Sequence, residues 1–125
     1  MRKEISTGKA PQVTGPFSQG IQTEDFVFTS GQIPLTLQGE LHGGSLEDQI
    51  HQIMHNLEAI LAAANVSFER VVKTTIYVTD MEGYKTVNEV YGSYMKEPFP
   101  AREVICVKAL PLGAQVEISM IAKRT

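Results

Sequence analysis

A chain of 125 residues, 42% hydrophobic and 20% charged, has the size and composition of one globular domain, which we expect to span residues 1–125. Eleven Lys and Arg against fourteen Asp and Glu give a net charge of -3, which disfavours nucleic acid as a partner because its phosphates would be repelled. No apolar segment approaches the ~20 residues of a membrane span, and no secretory signal follows Met1, so we expect a cytoplasmic protein without a membrane partner.

The first strands are predicted near the start of the chain. Residues 20–23 and 26–31 are rich in aromatic and β-branched side chains and flank a turn at 24–25, which is typical of a β-hairpin. Residues 35–44 have the Gly and Pro content of a loop. We therefore expect a hairpin followed by an irregular segment.

A long helix is predicted after this loop. Ser45 followed by Asp48 has the spacing of a helix N-cap, and apolar residues then recur at helical spacing up to a stop at Asn65. The polar side of the helix carries His51 and His55, whose i, i+4 spacing suits a helical metal pair. The Glu of the zinc-protease motif is missing between them, so two histidines exposed to water are the favoured interpretation.

A further strand and a second helix follow. Residues 71–79 are dense in Val, Thr, Ile and Tyr, as expected of a strand. Asp80 is a suitable cap for a helix that ends before Pro98. This helix carries three tyrosines at helical spacing, which we interpret as core or interface residues: Tyr84, Tyr91 and Tyr94.

The last two strands are predicted at 101–110 and 115–123, as an antiparallel pair across a turn at 111–114. The element order ββ-α-β-α-ββ predicts a two-layer α+β domain in which one mixed sheet carries both helices on one face. Alternation assigns to the helix side Ile105, Val107, Ala109, Val116, Ile118, Met120 and Ala122. It leaves on the other face Arg102, Val104, Cys106, Lys108, Gln115, Glu117, Ser119 and Ile121.

Arg102 and Glu117 are the candidate functional residues of that outer face. The planar fork of Arg102 suits bidentate binding of a small carboxylate, whereas a solvated strand edge or a salt bridge is the structural alternative. The predicted pairing sets Glu117 opposite Lys108 and ~20 Å from Arg102, since a strand rises ~3.3 Å per residue. If both residues bind one small molecule, they must come from neighbouring chains, and a closed ring is the simplest arrangement.

Several short sequence blocks, in order along nearly the whole chain, resemble those of one family. They are GPFSQG (15–20), TSGQIP (29–34), VNEVY (87–91), PAR (100–102), LP (110–111) and VEI (116–118). This series resembles the signature blocks of the RidA-type, or YjgF-type, imine deaminases. The resemblance implies a chorismate-mutase-like fold and a homotrimer with its sites between subunits.

The resemblance also implies an activity, the hydrolysis of reactive 2-iminobutanoate and 2-iminopropanoate to 2-keto acids and ammonia, with no metal or organic cofactor. In such a protein Arg102 holds the substrate carboxylate, and Glu117 positions or activates the attacking water. The backbone of Ser30 and Gly31 and the side chain of Asn88 line the pocket.

Two positions depart from the pattern of this family. Phe17 stands where tyrosine is usual, so it can form a wall of the substrate pocket but cannot donate a hydrogen bond. Val104 stands where many members have cysteine, which removes any role for a thiol at that position of the substrate pocket. The one cysteine of the chain, Cys106, is interpreted as a small hydrophobic residue because no cluster of Lys, Arg and His flanks it.

A non-catalytic protein is the competing interpretation. The same trimer could bind a keto acid or an amino acid as a sensor, or act as a chaperone-like holdase. The presence of Arg102 together with Glu117 favours the enzyme, because a sensor needs the arginine but has less use for the carboxylate.

Overall fold

The computed structural model describes residues 1–125 and contains six strands and two helices. The strands are β1 (Lys3–Ile5), β2 (Gly20–Gln22), β3 (Phe26–Thr29), β4 (Val71–Val78), β5 (Ala101–Cys106) and β6 (Val116–Lys123). The helices are α1 (Leu46–Ala63) and α2 (Tyr84–Tyr94). Short 3-10 turns occupy Phe68–Arg70, Met81–Gly83 and Pro111–Gly113.

All six strands form one mixed sheet in the order β1-β2-β3-β6-β4-β5, with β4 and β5 parallel and every other pair antiparallel. Both helices lie on one face of this sheet, where their apolar sides form a single core with β4 and β6. The predicted two-layer α+β architecture is confirmed. Neither helix is long and apolar enough to cross a membrane.

The predicted hairpin between the last two strands is wrong. β6 lies between β3 and β4, and β5 lies at the sheet edge beside β4. The residues between them cross the end of β4, where Val107 donates to the Val78 carbonyl and Thr79 donates to the Gln115 carbonyl. β6 occupies the sheet interior because four alternate side chains are almost fully buried: Val116, Ile118, Met120 and Ala122.

The face assignment of β5 is also wrong, whereas that of β6 is confirmed. Parallel pairing sets Arg102 beside Thr74 and Val104 beside Ile76, and both β4 residues point toward the helices. Arg102, Val104 and Cys106 therefore lie on the helix side. Ile105 lies on the outer face, as does Glu103, which forms a 2.6 Å ion pair with Lys73. Local alternation cannot fix the face of an edge strand, because its register is set by the strand it joins.

The first helix begins as predicted. The Ser45 hydroxyl accepts a hydrogen bond from the Asp48 N–H at 3.1 Å, and the Asp48 carboxylate accepts one from the Ser45 N–H at 3.4 Å. Such a capping interaction contributes about 1 kcal/mol. Helix α1 ends at Ala63, and Asn65 follows in the left-handed region at φ 62°. Asp80 caps the 3-10 turn before α2 rather than α2 itself, which begins at Tyr84.

Candidate active site

Arg102 lies near the start of β5 and reaches over the flank of α2. Its Nη2 donates a hydrogen bond of 3.1 Å to the Tyr84 hydroxyl. The guanidinium carbon lies 5.7 Å from the centroid of the Tyr84 ring and 5.6 Å from that of the Tyr91 ring. The cation is therefore held by the faces of two aromatic rings, a favourable contact that leaves most of its N–H donors free.

The two tyrosines meet Arg102 because they are seven residues apart, which is two turns of one helix face. The Tyr91 ring is only 5% exposed, and its hydroxyl donates a hydrogen bond of 2.9 Å to Thr74 Oγ1 on β4. Burial raises the pKa of the Tyr91 hydroxyl, an effect partly offset by the hydrogen bond with Thr74 and by the charge of Arg102. Tyr91 thus remains neutral and fixes one side of the arginine.

Asn88 lies between the two tyrosines on the same face of α2. Its side-chain oxygen is buried and has no hydrogen-bond partner within the chain. A buried amide oxygen without a donor is unfavourable by about 1–3 kcal/mol, so the position is suited to accept a hydrogen bond from a ligand or from water. Arg102, Tyr84, Asn88 and Tyr91 together are called the arginine half-site below.

Glu117 lies on β6, on the sheet face opposite the helices. It pairs in register with Tyr77, whereas its neighbours Val116 and Ile118 point into the core. Glu117 is partly buried and forms no salt bridge within the chain. Burial raises the pKa of its carboxyl group, because an ionised carboxylate loses solvation there. Such a carboxylate has the properties of a general base.

Gly31 packs directly against this carboxylate. A Cβ at position 31 would lie 2.8 Å from Glu117 Cδ, closer than real Cβ contacts allow, so only glycine fits without moving the acid. The contact is fixed by paired backbone bonds between Gln32 and Ile118, of 2.8 Å and 3.1 Å. The predicted site residues Gly31 and Glu117 are therefore neighbours.

The loop that carries Phe17 is hydrogen-bonded to Ser30, the residue before Gly31. The Ser30 hydroxyl donates to the Ser18 carbonyl at 2.5 Å, and the Ser30 N–H donates to the Gln19 carbonyl at 2.9 Å. Phe17 itself is 54% exposed, with its ring over Gly15. Phe17, Ser30, Gly31 and Glu117 are called the glutamate half-site below.

Within one chain the two half-sites are separate. They lie on opposite faces of the sheet, and Arg102 and Glu117 are two strands apart, about 10 Å, and three residues offset along the strands, also about 10 Å. The predicted pairing of Glu117 with Lys108 is wrong, because β6 pairs with β4 instead. A groove of about 630 Å³ at the beginning of β4 and β5 contains neither Arg102 nor Glu117.

The other predicted positions lie along β5. Val104 is on the helix side, one step beyond Arg102, and its side chain packs against the core. Cys106 is exposed at the end of the same strand. Neither residue contacts the glutamate half-site within its own chain, since that half-site is on the other face of the sheet.

Of the two histidines of α1, His55 is exposed as predicted, whereas His51 is less solvated than predicted. His51 Nδ1 lies 2.6 Å from the Tyr94 hydroxyl, and His55 Nε2 lies 3.3 Å from the same atom. His51 is partly buried by this contact, whereas His55 is exposed. These three side chains join α1 to α2, and the chain has no group of three His, Cys, Asp or Glu side chains arranged to hold a metal ion.

The contacts of Tyr84 and Tyr91 with Arg102 were not predicted from the sequence. Both residues had been interpreted as core or interface positions. The available signal was the i, i+4, i+7 spacing of Tyr84, Asn88 and Tyr91, which places two aromatic rings and an amide on one helix face. The sequence does not show that Arg102 contacts this helix face, because the contact depends on the register of β5 beside β4.

Comparison with known proteins identifies close relatives. The chain matches the family described as Endoribonuclease L-PSP over residues 7–124. It is 44% identical to the Mus musculus protein named 2-iminobutanoate/2-iminopropanoate deaminase, with 98% of this chain and 91% of the relative covered. It is 44% identical to the Arabidopsis thaliana protein named Reactive Intermediate Deaminase A, chloroplastic, and spans 66% of that longer relative.

A solved structure has the same fold as this chain. The crystal structure of E. coli TdcF with bound serine superimposes with a TM-score of 0.92 at 38% sequence identity. The match covers 98% of this chain and 99% of the other. The whole domain, including both half-sites, thus lies within the shared fold.

Proposed function

This chain belongs to the endoribonuclease L-PSP family, the family of the RidA-type proteins, and from that membership we propose that it hydrolyses 2-iminobutanoate and 2-iminopropanoate. The family predicted from the sequence blocks is thereby confirmed. The observation that carries the proposed activity is the pair of half-sites: a stacked arginine with free donors and a partly buried carboxylate without a charged partner. The mouse relative bears the name of this activity.

The proposed active protein is a homotrimer in which the arginine half-site of one subunit faces the glutamate half-site of the next. Two observations support this arrangement. One chain keeps Arg102 and Glu117 on opposite sheet faces, and its outer face exposes large apolar side chains, among them Phe28 and Ile105. A partner subunit that covers this face would remove the apolar area from water and complete the site.

The proposed reaction begins with the substrate carboxylate bound by two parallel N–H donors of Arg102. The carbon of the protonated imine is already electrophilic, so orientation and a polarised water are sufficient, and no metal or organic cofactor is required. Glu117 accepts a proton from the water as its oxygen bonds to this carbon. Transfer of that proton to the nitrogen lets the C–N bond break, and its electron pair leaves with ammonia. The hydroxyl oxygen then forms the carbonyl of the 2-keto acid as its proton passes to Glu117 or to water.

The remaining residues of the half-sites have supporting roles in the proposal. The unpaired Asn88 oxygen accepts a hydrogen bond from the N–H of the protonated imine. Ser30 and Gly31 hold the backbone beside Glu117, and Phe17 and Val104 form apolar walls. The proposed location is the cytoplasm, where dehydratases acting on threonine and serine release such imines.

A coupled assay tests the activity. A threonine dehydratase generates 2-iminobutanoate in a buffer that slows its spontaneous hydrolysis, and keto acid release is followed with and without this protein. Faster release on adding the protein is expected. An unchanged rate, together with measurable binding of the keto acid, would instead support the sensor, and an unchanged rate without binding would leave the holdase.

Subunit mixing tests the shared site. Arg102→Ala and Glu117→Gln proteins, each inactive alone, are unfolded together and refolded as a mixture. Random assembly then gives about one quarter of the sites both intact residues, one from each chain, so about one quarter of the wild-type rate is expected. A mixture with no activity would contradict a site shared between subunits, as would a stable monomer at micromolar concentration in light scattering.

A further inference from the structure

We propose that the Tyr84 hydroxyl donates a hydrogen bond to the carboxylate held by Arg102, which makes Tyr84 a substrate-binding residue and Tyr91 a positioning residue. This inference rests on the proposed function, because it concerns the same arginine half-site. It adds a third donor to the carboxylate site.

The direction of the hydrogen bond between Arg102 and Tyr84 carries the argument. A guanidinium has donors and no acceptor, so Arg102 Nη2 donates across the 3.1 Å contact and the Tyr84 oxygen accepts. The hydroxyl proton of Tyr84 must therefore point to another atom. No acceptor within the chain takes it, and the side chain is 39% exposed at the edge of the half-site.

The ligand suited to this arrangement is a carboxylate. It offers about four acceptor positions on two oxygens, of which the arginine fork takes two. A carboxylate oxygen bound to Arg102 Nη2 lies beside the Tyr84 hydroxyl, because Nη2 and the hydroxyl oxygen are 3.1 Å apart. A phenol whose oxygen already accepts from a cation is also a stronger donor than a free phenol, since hydrogen bonds in a chain polarise one another.

Tyr91 provides a contrast within the same half-site. Its ring stacks on the other side of Arg102 at nearly the same distance, 5.6 Å against 5.7 Å for Tyr84. Its hydroxyl, however, already donates to Thr74 Oγ1 and is turned away from solvent. The ring of Tyr91 positions the guanidinium, whereas its hydroxyl has no donor left for a ligand.

The test compares Tyr84→Phe with Tyr94→Phe, since each removes one tyrosine hydroxyl from α2, and the Tyr94 hydroxyl contacts the two histidines of α1 rather than Arg102. The measured quantities are the dissociation constant of 2-oxobutanoate, the stable product, and kcat and KM for imine hydrolysis. Tyr84→Phe should weaken binding and raise KM about tenfold while kcat changes less than about twofold, as for loss of one hydrogen bond to a charged group. Tyr94→Phe, outside both half-sites, should leave the dissociation constant and KM within about twofold of the wild type.

The possible outcomes separate this inference from the proposed function. If the wild-type protein hydrolyses the imine and Tyr84→Phe binds 2-oxobutanoate as tightly as the wild type, the inference fails and the function stands. If the wild type has no hydrolase activity but Tyr84→Phe still weakens keto acid binding, the inference about the carboxylate stands alone. Equal weakening in Tyr84→Phe and Tyr94→Phe would show a general structural effect and would overturn the inference.

Discussion

The two half-sites place their charged side chains in different environments of the sheet. Arg102 lies on the edge strand β5, and side chains of one helix hold its guanidinium by ring faces and one hydrogen bond. Glu117 lies on β6, a strand hydrogen-bonded on both sides, and the backbone at Gly31 presses against it. A cation at an edge can stay solvated and accessible, whereas a carboxylate in the sheet interior loses solvation.

This difference assigns different tasks to the two charges. Arginine keeps its charge at every accessible pH, so its environment controls geometry rather than protonation. The protonation of Glu117 depends on burial, so its environment controls when it can accept a proton. Changes in the arginine half-site should therefore act on substrate binding, and changes in the glutamate half-site should act on rate and on the pH dependence of stability.

The largest effect is expected for Arg102→Lys and Arg102→Ala, which should both abolish measurable imine hydrolysis in a folded protein. Lysine keeps the charge but lacks the planar fork that binds a carboxylate through two parallel hydrogen bonds. The expected loss of oriented binding is about 2–5 kcal/mol. Keto acid release and 2-oxobutanoate binding are measured, with circular dichroism as the check on folding.

Cys106→Ser is the matched control for these variants, because Cys106 lies on the same strand and the same face but has no proposed chemical step. Its turnover should remain close to that of the wild type. Near wild-type turnover in a folded Arg102→Ala protein would instead end the deaminase proposal and favour the sensor or the holdase.

The second effect is expected for Glu117→Gln, which should lower kcat roughly 10²-fold or more while 2-oxobutanoate still binds. Glutamine has a similar shape but cannot accept the proton of the attacking water. The comparison with Arg102→Ala is the sharpest test of these separate roles. Arg102→Ala should lose affinity for 2-oxobutanoate, whereas Glu117→Gln should keep that affinity and lose kcat. A Glu117→Gln protein that loses affinity and keeps kcat would reverse the assignment.

The third effect is expected for Gly31→Ala, which forces Glu117 away from its position. The added Cβ overlaps the carboxyl group, so we expect about a tenfold lower kcat, smaller than the loss from removing the base itself. Gly92→Ala is the control, because a Cβ at position 92 of α2 meets no atom within 4 Å and alanine favours the helix. Equal kcat values in the two variants would mean that the placement of Glu117 is not critical.

Much of the fold was predictable because its signals are local. The capping pair Ser45 and Asp48 defines the start of α1 through contacts three residues apart, and the alternation of β6 defines its buried face. The three-residue strand β1 was missed, since it is too short to show a period. The structural role of Gln19 was missed for a related reason. Its buried side-chain amide donates hydrogen bonds to three carbonyls of the N-terminal segment, which has no periodic structure.

The arginine half-site was only half predictable. The sequence shows why Arg102 and Glu117 are unusual, and why a carboxylate ligand suits the first. It does not show which strand β5 joins, because parallel pairing with β4 is a contact between residues about 30 positions apart. The face of Arg102, its tyrosine partners and its true position relative to Glu117 all depend on that pairing.

The smallest expected effect is a pH-dependent gain in stability for Glu117→Gln. Burial raises the pKa of Glu117 in the folded state, so as pH rises the side chain ionises first in the unfolded chain, and the folded state loses stability. Below the ordinary glutamate pKa of about 4.3 the group is neutral in both states and this loss is absent. Glutamine is neutral throughout, so the variant should be more stable near neutral pH, by an amount that shrinks toward pH 4.

Denaturant unfolding of the wild type and of Glu117→Gln, from neutral pH down to about pH 4, measures the difference in their free energies of unfolding. The other carboxylates contribute equally to both proteins, so their contributions cancel in this difference. The effect should be modest because the side chain is only partly buried. The Arg102→Ala background provides the link between the half-sites: if Arg102 of a neighbouring subunit faces Glu117, its charge offsets the cost of burial, and removing it should enlarge the gain. A gain of the same size in both backgrounds would mean that the two charges do not face each other, and a gain independent of pH would mean that burial of the ionised carboxylate is not its cause.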